Sequence, residues 1–362
     1  MSFPFLQPYA GLSNSLQTAQ AVGGAGGIGG WVELGRTTLG SANSSMSVSS
    51  LPDKRYYMVL TFVTSETTNS DVSARFNSDT GSNYARRGTY NGNADFTGIN
   101  STTMNWIITD SIKPDAPMLG VHYISNLASK EKLVMGEGSR SNAVTSGAGG
   151  VAGVPSRSSV AQKWVNTSNA IDEIETYVGS QFNSGSELVV LGWDPADTHT
   201  TNFWEELASA DLSGGSSDNF SSGTFTNKKY LWVQAYITAT GGTKRVYGRF
   251  NGVTGNNYAL RANANGSEST DTSQNQANLD TGNTDTNPVF LNMFIVNDGT
   301  NDPLAICHTI NRGSSGSANA PERCETAWKS ASTTAITSIS FHNIVGTGNF
   351  GTESIMKVWG SN

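Results

Sequence analysis

The chain has 362 residues, a formal net charge of −7 and a pI near 5.1, and its basic residues gather only in pairs such as Lys54-Arg55 and Lys228-Lys229. That argues against a nucleic-acid partner, which needs a basic face for phosphates. Charged residues are 14% of the chain, against about a quarter in an average soluble protein, while 40 glycines and abundant Ser, Thr and Asn supply turns and the solvent faces of sheets. No apolar run is long enough to span a bilayer, so no membrane insertion is expected.

The N-terminal "MSFPFLQPYAG" has neither a basic n-region nor an apolar h-region, and does not read as a secretory signal. Phe3, Pro4, Phe5, Leu6, Pro8 and Tyr9 instead form an apolar, proline-stiffened segment too short to bury itself. Then comes "AVGGAGGIGGW", with Gly24, Gly26 and Gly29 in the G-x-G-x-x-G spacing of a dinucleotide site. Such a site needs a strand before it, a helix after it and an acidic residue roughly 20 positions on. Here "LSNSLQTAQ" precedes it, the alternating strand pattern "WVELG" follows it, and "SSMSVSS" carries no carboxylate. A flexible glycine tether is the better account, and no cofactor is expected.

From residue 74 onward the chain repeats itself. "ARFNSDTGSNYARRGTYNG" at 74–92 returns without a gap as "GRFNGVTGNNYALRANANG" at 248–266. The shared positions are Arg75, Phe76, Asn77, Gly81, Asn83, Tyr84 and Arg87 in the first copy, and Arg249, Phe250, Asn251, Gly255, Asn257, Tyr258 and Arg261 in the second. The flanks agree too: Lys54-Arg55-Tyr56 with Lys228-Lys229-Tyr230, Pro155 and Arg157 with Pro321 and Arg323, Trp164 with Trp328, and Trp193 with Trp359. The chain therefore divides into an arm and tether (1–30), a first repeat (31–196), a linker (197–203) and a second repeat (204–362). Short apolar runs such as "YYMVLTFV" and "ELVVLGW", separated by Gly, Asn, Asp, Ser and Pro, predict an all-β chain. Its two tandem antiparallel β-sandwiches are jelly-roll-like, with about eight to ten strands each. The short connection "DPADTHTTN", which contains Pro195, predicts that they sit end to end.

The duplication also tests each chemical motif, because a site needed by the domain type should occur in both copies. "NSDTGSN" at 77–83 spaces oxygens as a calcium loop does, but Asp79 becomes Val253, so a turn is expected and no metal. The turn reads as a hairpin at Gly81 and Gly255, with Asn77 and Asn251 bonding local backbone, the Phe in the core, and the Arg and Tyr in cation–π contact. "DEIETY" sets Glu173 and Glu175 on one strand face like a glycosidase pair, yet the second copy has the acid-free "TSISFH". His122, His199, His308 and His342 show no ligand spacing, and only His199, near Asp194 and Asp197, offers an adventitious site. No nucleophile elbow or Walker loop occurs, so no catalytic residue is expected. Cys307 and Cys324 lie equidistant from the loop "GSSGSANA", which allows a cross-strand disulfide, although reduced thiols fit a reducing cytosol better. Most tryptophans recur between the copies and read as packing positions. Trp106 and Trp232 have no Trp counterpart and are the candidate contacts for a host-surface glycan.

Two Gly/Asn/Ser/Thr-rich sandwiches, each carrying R-F-N-x-x-T-G-x-N-Y-A-x-R behind a signal-less arm and tether, resemble the virion surface proteins of marine tailed phages. That group comprises capsid decoration proteins, head fibres and tail-associated adhesins. The resemblance implies a structural or attachment role on the virion surface after synthesis in the host cytoplasm, with no catalytic residue. It implies other virion proteins and further copies of the chain as partners, trimers being common among fibres. The apolar arm Phe3–Tyr9 is then the assembly element.

Overall fold

The computed structural model describes residues 30–67, 70–108, 116–142, 153–197, 202–280, 285–312, 317 and 320–362. The arm Phe3–Tyr9, the glycines up to Gly29, and His199 lie outside the described residues. The first half contains β1 (Val32–Thr38), β2 (Asn43–Ser49), β3 (Tyr56–Val63), β4 (Val72–Phe76), β5 (Tyr84–Tyr90), β6 (Phe96–Ser101), β7 (Met104–Ile107), β8 (Met118–Ser125), β9 (Lys132–Arg140), β10 (Ser156–Trp164), β11 (Glu173–Phe182) and β12 (Glu187–Trp193). The second contains β13 (Glu205–Asp211), β14 (Asn219–Ser221), β15 (Tyr230–Ile237), β16 (Ala239–Thr240), β17 (Tyr247–Phe250), β18 (Tyr258–Ala264), β19 (Ser267–Gln274), β20 (Ala277–Asn278), β21 (Val289–Val296), β22 (Leu304–Asn311), β23 (Glu322–Ser330), β24 (Ile339–His342), β25 (Asn349–Phe350) and β26 (Ile355–Ser361).

The described fold is all-β and antiparallel. In the first half an eight-stranded sheet, β1-β12-β3-β8-β9-β10-β5-β6, faces a four-stranded one, β2-β11-β4-β7. The second half repeats this order strand for strand as β13-β26-β15-β21-β22-β23-β18-β19 and β14-β24-β17-β20, and adds the small pair β16-β25. Strand pairing also corrects two sequence equivalences. Trp164 pairs with Tyr84, but Tyr258 pairs with Ser330, so Trp328 stands two residues from the counterpart of Trp164. Trp359 is displaced likewise: Trp193 pairs with Tyr56, and Ser361 with Tyr230. A two-residue offset keeps a side chain on the same sheet face, so both core tryptophans still pack on the motif Phe. Trp164 meets Phe76 at 5.8 Å and Trp328 meets Phe250 at 4.2 Å between ring centroids.

Each half buries a core between its two sheets, around Val59, Phe76 and Trp106 in the first and Val233, Phe250 and Trp328 in the second. A third core lies between the halves. Met58, Leu60, Phe62, Val189 and Leu191 from the first eight-stranded sheet meet Tyr230, Trp232, Phe294 and Trp359 from the second. The sandwiches are thus stacked face to face rather than end to end, giving the layer order four, eight, eight, four. The run "YYMVLTFV" has no polar alternation because β3 is buried on both faces, with Tyr57, Val59 and Val63 turned to one core and Met58, Leu60 and Phe62 to the other.

The duplicated motif is the corner where the chain passes between sheets, not a hairpin, since β4 and β17 belong to the small sheets and β5 and β18 to the large ones. The Tyr84 hydroxyl accepts the Phe76 N–H at 3.1 Å and donates to the Asp79 carbonyl at 3.1 Å. Tyr258 repeats this with Phe250 at 3.0 Å and Val253 at 3.4 Å. Asn77 and Asn251 adopt left-handed φ values of 50° and 48°, and bond distant rather than local backbone. Asn77 accepts from the Asp172 N–H at 2.9 Å and donates to the Ala170 carbonyl at 2.8 Å. Asn251 accepts from Thr337 at 2.8 Å and donates to Ala335 at 2.9 Å. Each asparagine therefore ties the corner to the loop entering the strand beside it. Replacing either with Ala removes the partners of partly buried backbone groups and strains the left-handed turn, and is expected to cost about 2 kcal/mol each, read as the shift in a urea unfolding midpoint.

Candidate functional site: the face between the sandwiches

The outer face of each large sheet presents cross-strand rows of side chains. On the first, Glu187, Phe62, Leu119, Ser139 and Arg157 form one row at the C-terminal end of β3. On the second, Tyr230, Val296, Leu304 and Lys329 form a row at the N-terminal end of β15. Both rows are buried between the halves, along with Met58, Leu60 and Val121 beside the first and Trp232, Phe294 and Ile306 beside the second. The Tyr230 hydroxyl donates to Glu187 at 2.7 Å, Lys229 stands 3.0 Å and Arg36 3.3 Å from the same carboxylate, and Thr38 donates to it. At the far side Arg157, sealed from solvent, pairs with Glu325 at 2.6 Å and Glu268 at 3.6 Å, and Arg261 donates to the Pro155 carbonyl at 2.9 Å. Equivalent residues meet at the centre of this face, Tyr123 with Phe294 at 6.5 Å between ring centroids and His308 with Glu137 at 3.6 Å, whereas at the edge Tyr230 and Glu187 are buried together and their counterparts Tyr56 and Ile355 stay partly exposed.

Two clefts open along this face. One, of about 420 Å³, lies between the sheets and holds Tyr123, Glu137, Ser159, Phe294 and His308. Ser159 donates to Glu137 at 2.8 Å, and the His308 ring nitrogen stands 3.6 Å from the same carboxylate. The serine bonds the carboxylate and not the imidazole, so the three are not ordered as a Ser-His-acid triad. The second cleft, of about 570 Å³, is lined by Trp31, Tyr56, Tyr123, Leu133, Met135 and Trp193, with no charged side chain in its wall.

The structure distributes the sequence candidates as follows. Trp106 is fully buried, donates to Thr61 at 2.8 Å and stacks on His122 at 3.7 Å, so no ring face is open to a sugar. Trp232 is buried in the middle core between Trp204, Phe294 and Trp359, and donates to Asn292 at 2.6 Å. The glycan reading loses both of its named contacts, because an unmatched tryptophan fills a gap in packing as readily as it marks a ligand. His122 is held neutral by burial, with its pKa pushed down to about 3, and its ring occupies the space above Gly136, where a Cβ would come within 1.9 Å. Asp79 is a structural acceptor: Trp164 donates to it at 2.7 Å, Asn83 at 2.9 Å and the Gly81 N–H at 2.8 Å. Burial opposes its charge, but these three donors outweigh it and hold the carboxyl below its usual range. Arg75 stacks on Tyr177 at 4.2 Å rather than on Tyr84, whose hydroxyl is committed to the corner.

Glu173 accepts from Ser47 at 2.9 Å and Ser78 at 2.6 Å, which marks a structural carboxylate. Cys307 and Cys324 are free and buried. They stand diagonal rather than opposite, since Cys307 pairs with Thr326 and Cys324 with Thr309, a register the loop centre did not reveal. Among the described residues, no three His, Cys, Asp or Glu side chains gather closely enough to hold a metal ion.

No protein-family model matches the chain, and no curated protein matches its sequence. Fold and site define an all-β protein of antiparallel sandwiches whose most developed surface is the face between its halves.

The interface holds two groups whose contributions to stability depend on pH in opposite directions. Burial opposes the charge of Glu187, but Thr38, Lys229, Tyr230 and Arg36 together hold its carboxyl below the usual range. Its contribution to stability is complete above the ordinary carboxylate pKa and is lost as pH falls through the lowered value. Burial also opposes the imidazolium of His308, yet Glu137 and Glu325 outweigh it against Arg157 and raise its pKa. That contribution is complete below the ordinary imidazole pKa and is lost as pH rises through the raised value. Glu187→Gln is expected to cost about 3 kcal/mol, leaving Lys229 without its anion and Arg36 with Glu33 alone, and to flatten the acid limb of the thermal midpoint against pH. His308→Gln should flatten only the alkaline limb, by less than about 1 kcal/mol, because the imidazole is half exposed and screened.

Proposed function

We propose that the chain is a non-enzymatic structural protein displayed on a virion surface, as a capsid decoration or fibre, and held there by its N-terminal arm. The build of the body supports this reading. Two sandwiches with the same strand order are locked face to face through a third core rimmed by the buried Arg157 and Glu187 and their partners, giving a stiff unit that exposes little charge. The duplicated residues serve the corner of the fold rather than any chemistry. The arm adds an apolar, uncharged segment ahead of the glycine tether, suited to docking on another protein of the particle.

Particles purified from cells making the full chain should carry it in fixed copy number, and particles made with a chain lacking residues 1–30 should leave it in the soluble fraction. Quantitative immunoblotting of gradient-purified particles measures both. Absence of the full chain from the particles overturns the display reading, and retention of the shortened chain overturns the role of the arm.

A further inference from the structure

In the second sandwich an amine, a carboxylate and a carboxamide meet in the interior. Lys244, on the connection from β16 to β17, exchanges backbone hydrogen bonds of 2.7 and 3.1 Å with Asp285, just ahead of β21. Residues directly opposite in an antiparallel pair project to the same side, so the amine and the carboxylate share one face. Lys244 Nζ stands 3.7 Å from Asp285 Oδ1, and Asn311, at the end of β22, donates from Nδ2 to Asp285 Oδ2 at 2.6 Å. One carboxylate thus stands between an amine and a carboxamide. The side chain of Lys244 and the whole of Asn311 are sealed from solvent. Among the described residues Nζ makes no hydrogen bond, and burial pushes its pKa down against the pull of Asp280 and Asp285, which favours the neutral amine. The equivalent corner of the first half is built differently. Arg140 holds the place of Asn311, since it pairs with Met118 as Asn311 pairs with Val289, and its guanidinium meets Glu66 at 3.3 Å. A sealed cation short of partners is costly; the first half answers that cost with a close ion pair, and the second does not.

We propose that Lys244 and Asn311 become joined by a side-chain amide bond that the folded chain forms by itself, with Asp285 carrying the protons. A desolvated lysine is a nucleophile, and the fold holds it beside its target. The lone pair of the neutral Nζ adds to Cγ of Asn311. A proton passes from Nζ to Asp285, and one passes from Asp285 to Nδ2, the atom already bonded to it. The Cγ–Nδ2 bond then breaks, and its electron pair leaves with ammonia. One amide replaces another, so the step needs no oxidant, cofactor or energy source. Asp285 is 20% exposed, which gives the ammonia a way out. The bond ties the segment entering β17, a strand of the small sheet, to β22 of the large sheet, and so staples the two layers of the second sandwich. This goes beyond the display reading and does not depend on it.

Intact-mass measurement of the full chain in denaturant, followed by tryptic mapping, tests it. The chain should weigh one ammonia, about 17 Da, less than its sequence. The tryptic peptides ending at Arg245 and Arg312 should run as one linked species, uncut after Lys244, and its fragmentation should place the bond between Lys244 and Asn311. Asn311→Ala should restore the full mass and two separate peptides. Asp285→Asn should cut the linked fraction at least about tenfold, with an unchanged far-ultraviolet spectrum. The peptide map of the natural sequence decides the matter whether or not a variant folds. A chain of full sequence mass, Lys244 and Asn311 recovered in separate peptides, loss of water with Lys244 joined to Asp285, or a link that forms equally well in Asp285→Asn would each overturn the proposal. None of these results bears on whether the chain is found on particles.

Discussion

Everything in this structure depends on burying the large sheets on both sides. β3, β12 and β15 are central strands whose inner faces close a sandwich and whose outer faces close the middle core. At about 25 cal/mol per Å² of apolar area removed from water, burying aromatics such as Phe62, Trp232 and Phe294 is a large favourable term, and it is non-directional. Direction comes from the polar rim. Glu187 accepts from Tyr230 and Thr38 beside two cations, and Arg157 sits between two carboxylates, so a slip along the strands would leave buried charges unpaired.

This constraint turns duplication into asymmetry. Two equivalent sheets that met about an exact two-fold axis would cover the same rows in both halves. Here equivalent residues meet at the centre, Tyr123 with Phe294 and Glu137 with His308, but the edges are not reciprocal and the sequences there have diverged. Glu187 stands opposite Tyr230, while its counterpart Ile355 remains at the surface. Arg261 is drawn across to Pro155, while Arg87 stays in solvent beside Asp95. Within the inner cores divergence is compensated locally: His122 opposite Gly136 fills the cross-strand slot that Met293 opposite Cys307 fills in the second half.

The corner motif shows why some residues recur and others do not. Phe, Asn and Tyr at 76, 77 and 84 supply a core anchor, a left-handed turn and a hydroxyl latch, and all three recur because the chain must change sheets there in both halves. Asp79 does not recur because its bond is to Trp164, and Trp328 approaches from a position two residues away.

Sequence alone determined the all-β class, the duplication and the structural nature of the repeated motif, because alternating apolar runs, turn residues and a gapless repeat are local properties of the chain. It also held an unused clue to the middle core, since "YYMVLTFV" lacks the polar alternation of a strand with one wet face. The tertiary structure alone decided that the sandwiches stack face to face, that Trp106 and Trp232 are interior, and that Asn77 and Asn251 reach across the fold. It likewise decided which rows of the large sheets are covered and which stay open. Each of these follows from register and offset between strands far apart in the chain. A two-residue shift changes neither composition nor the face a side chain occupies, yet it selects which neighbour that side chain meets.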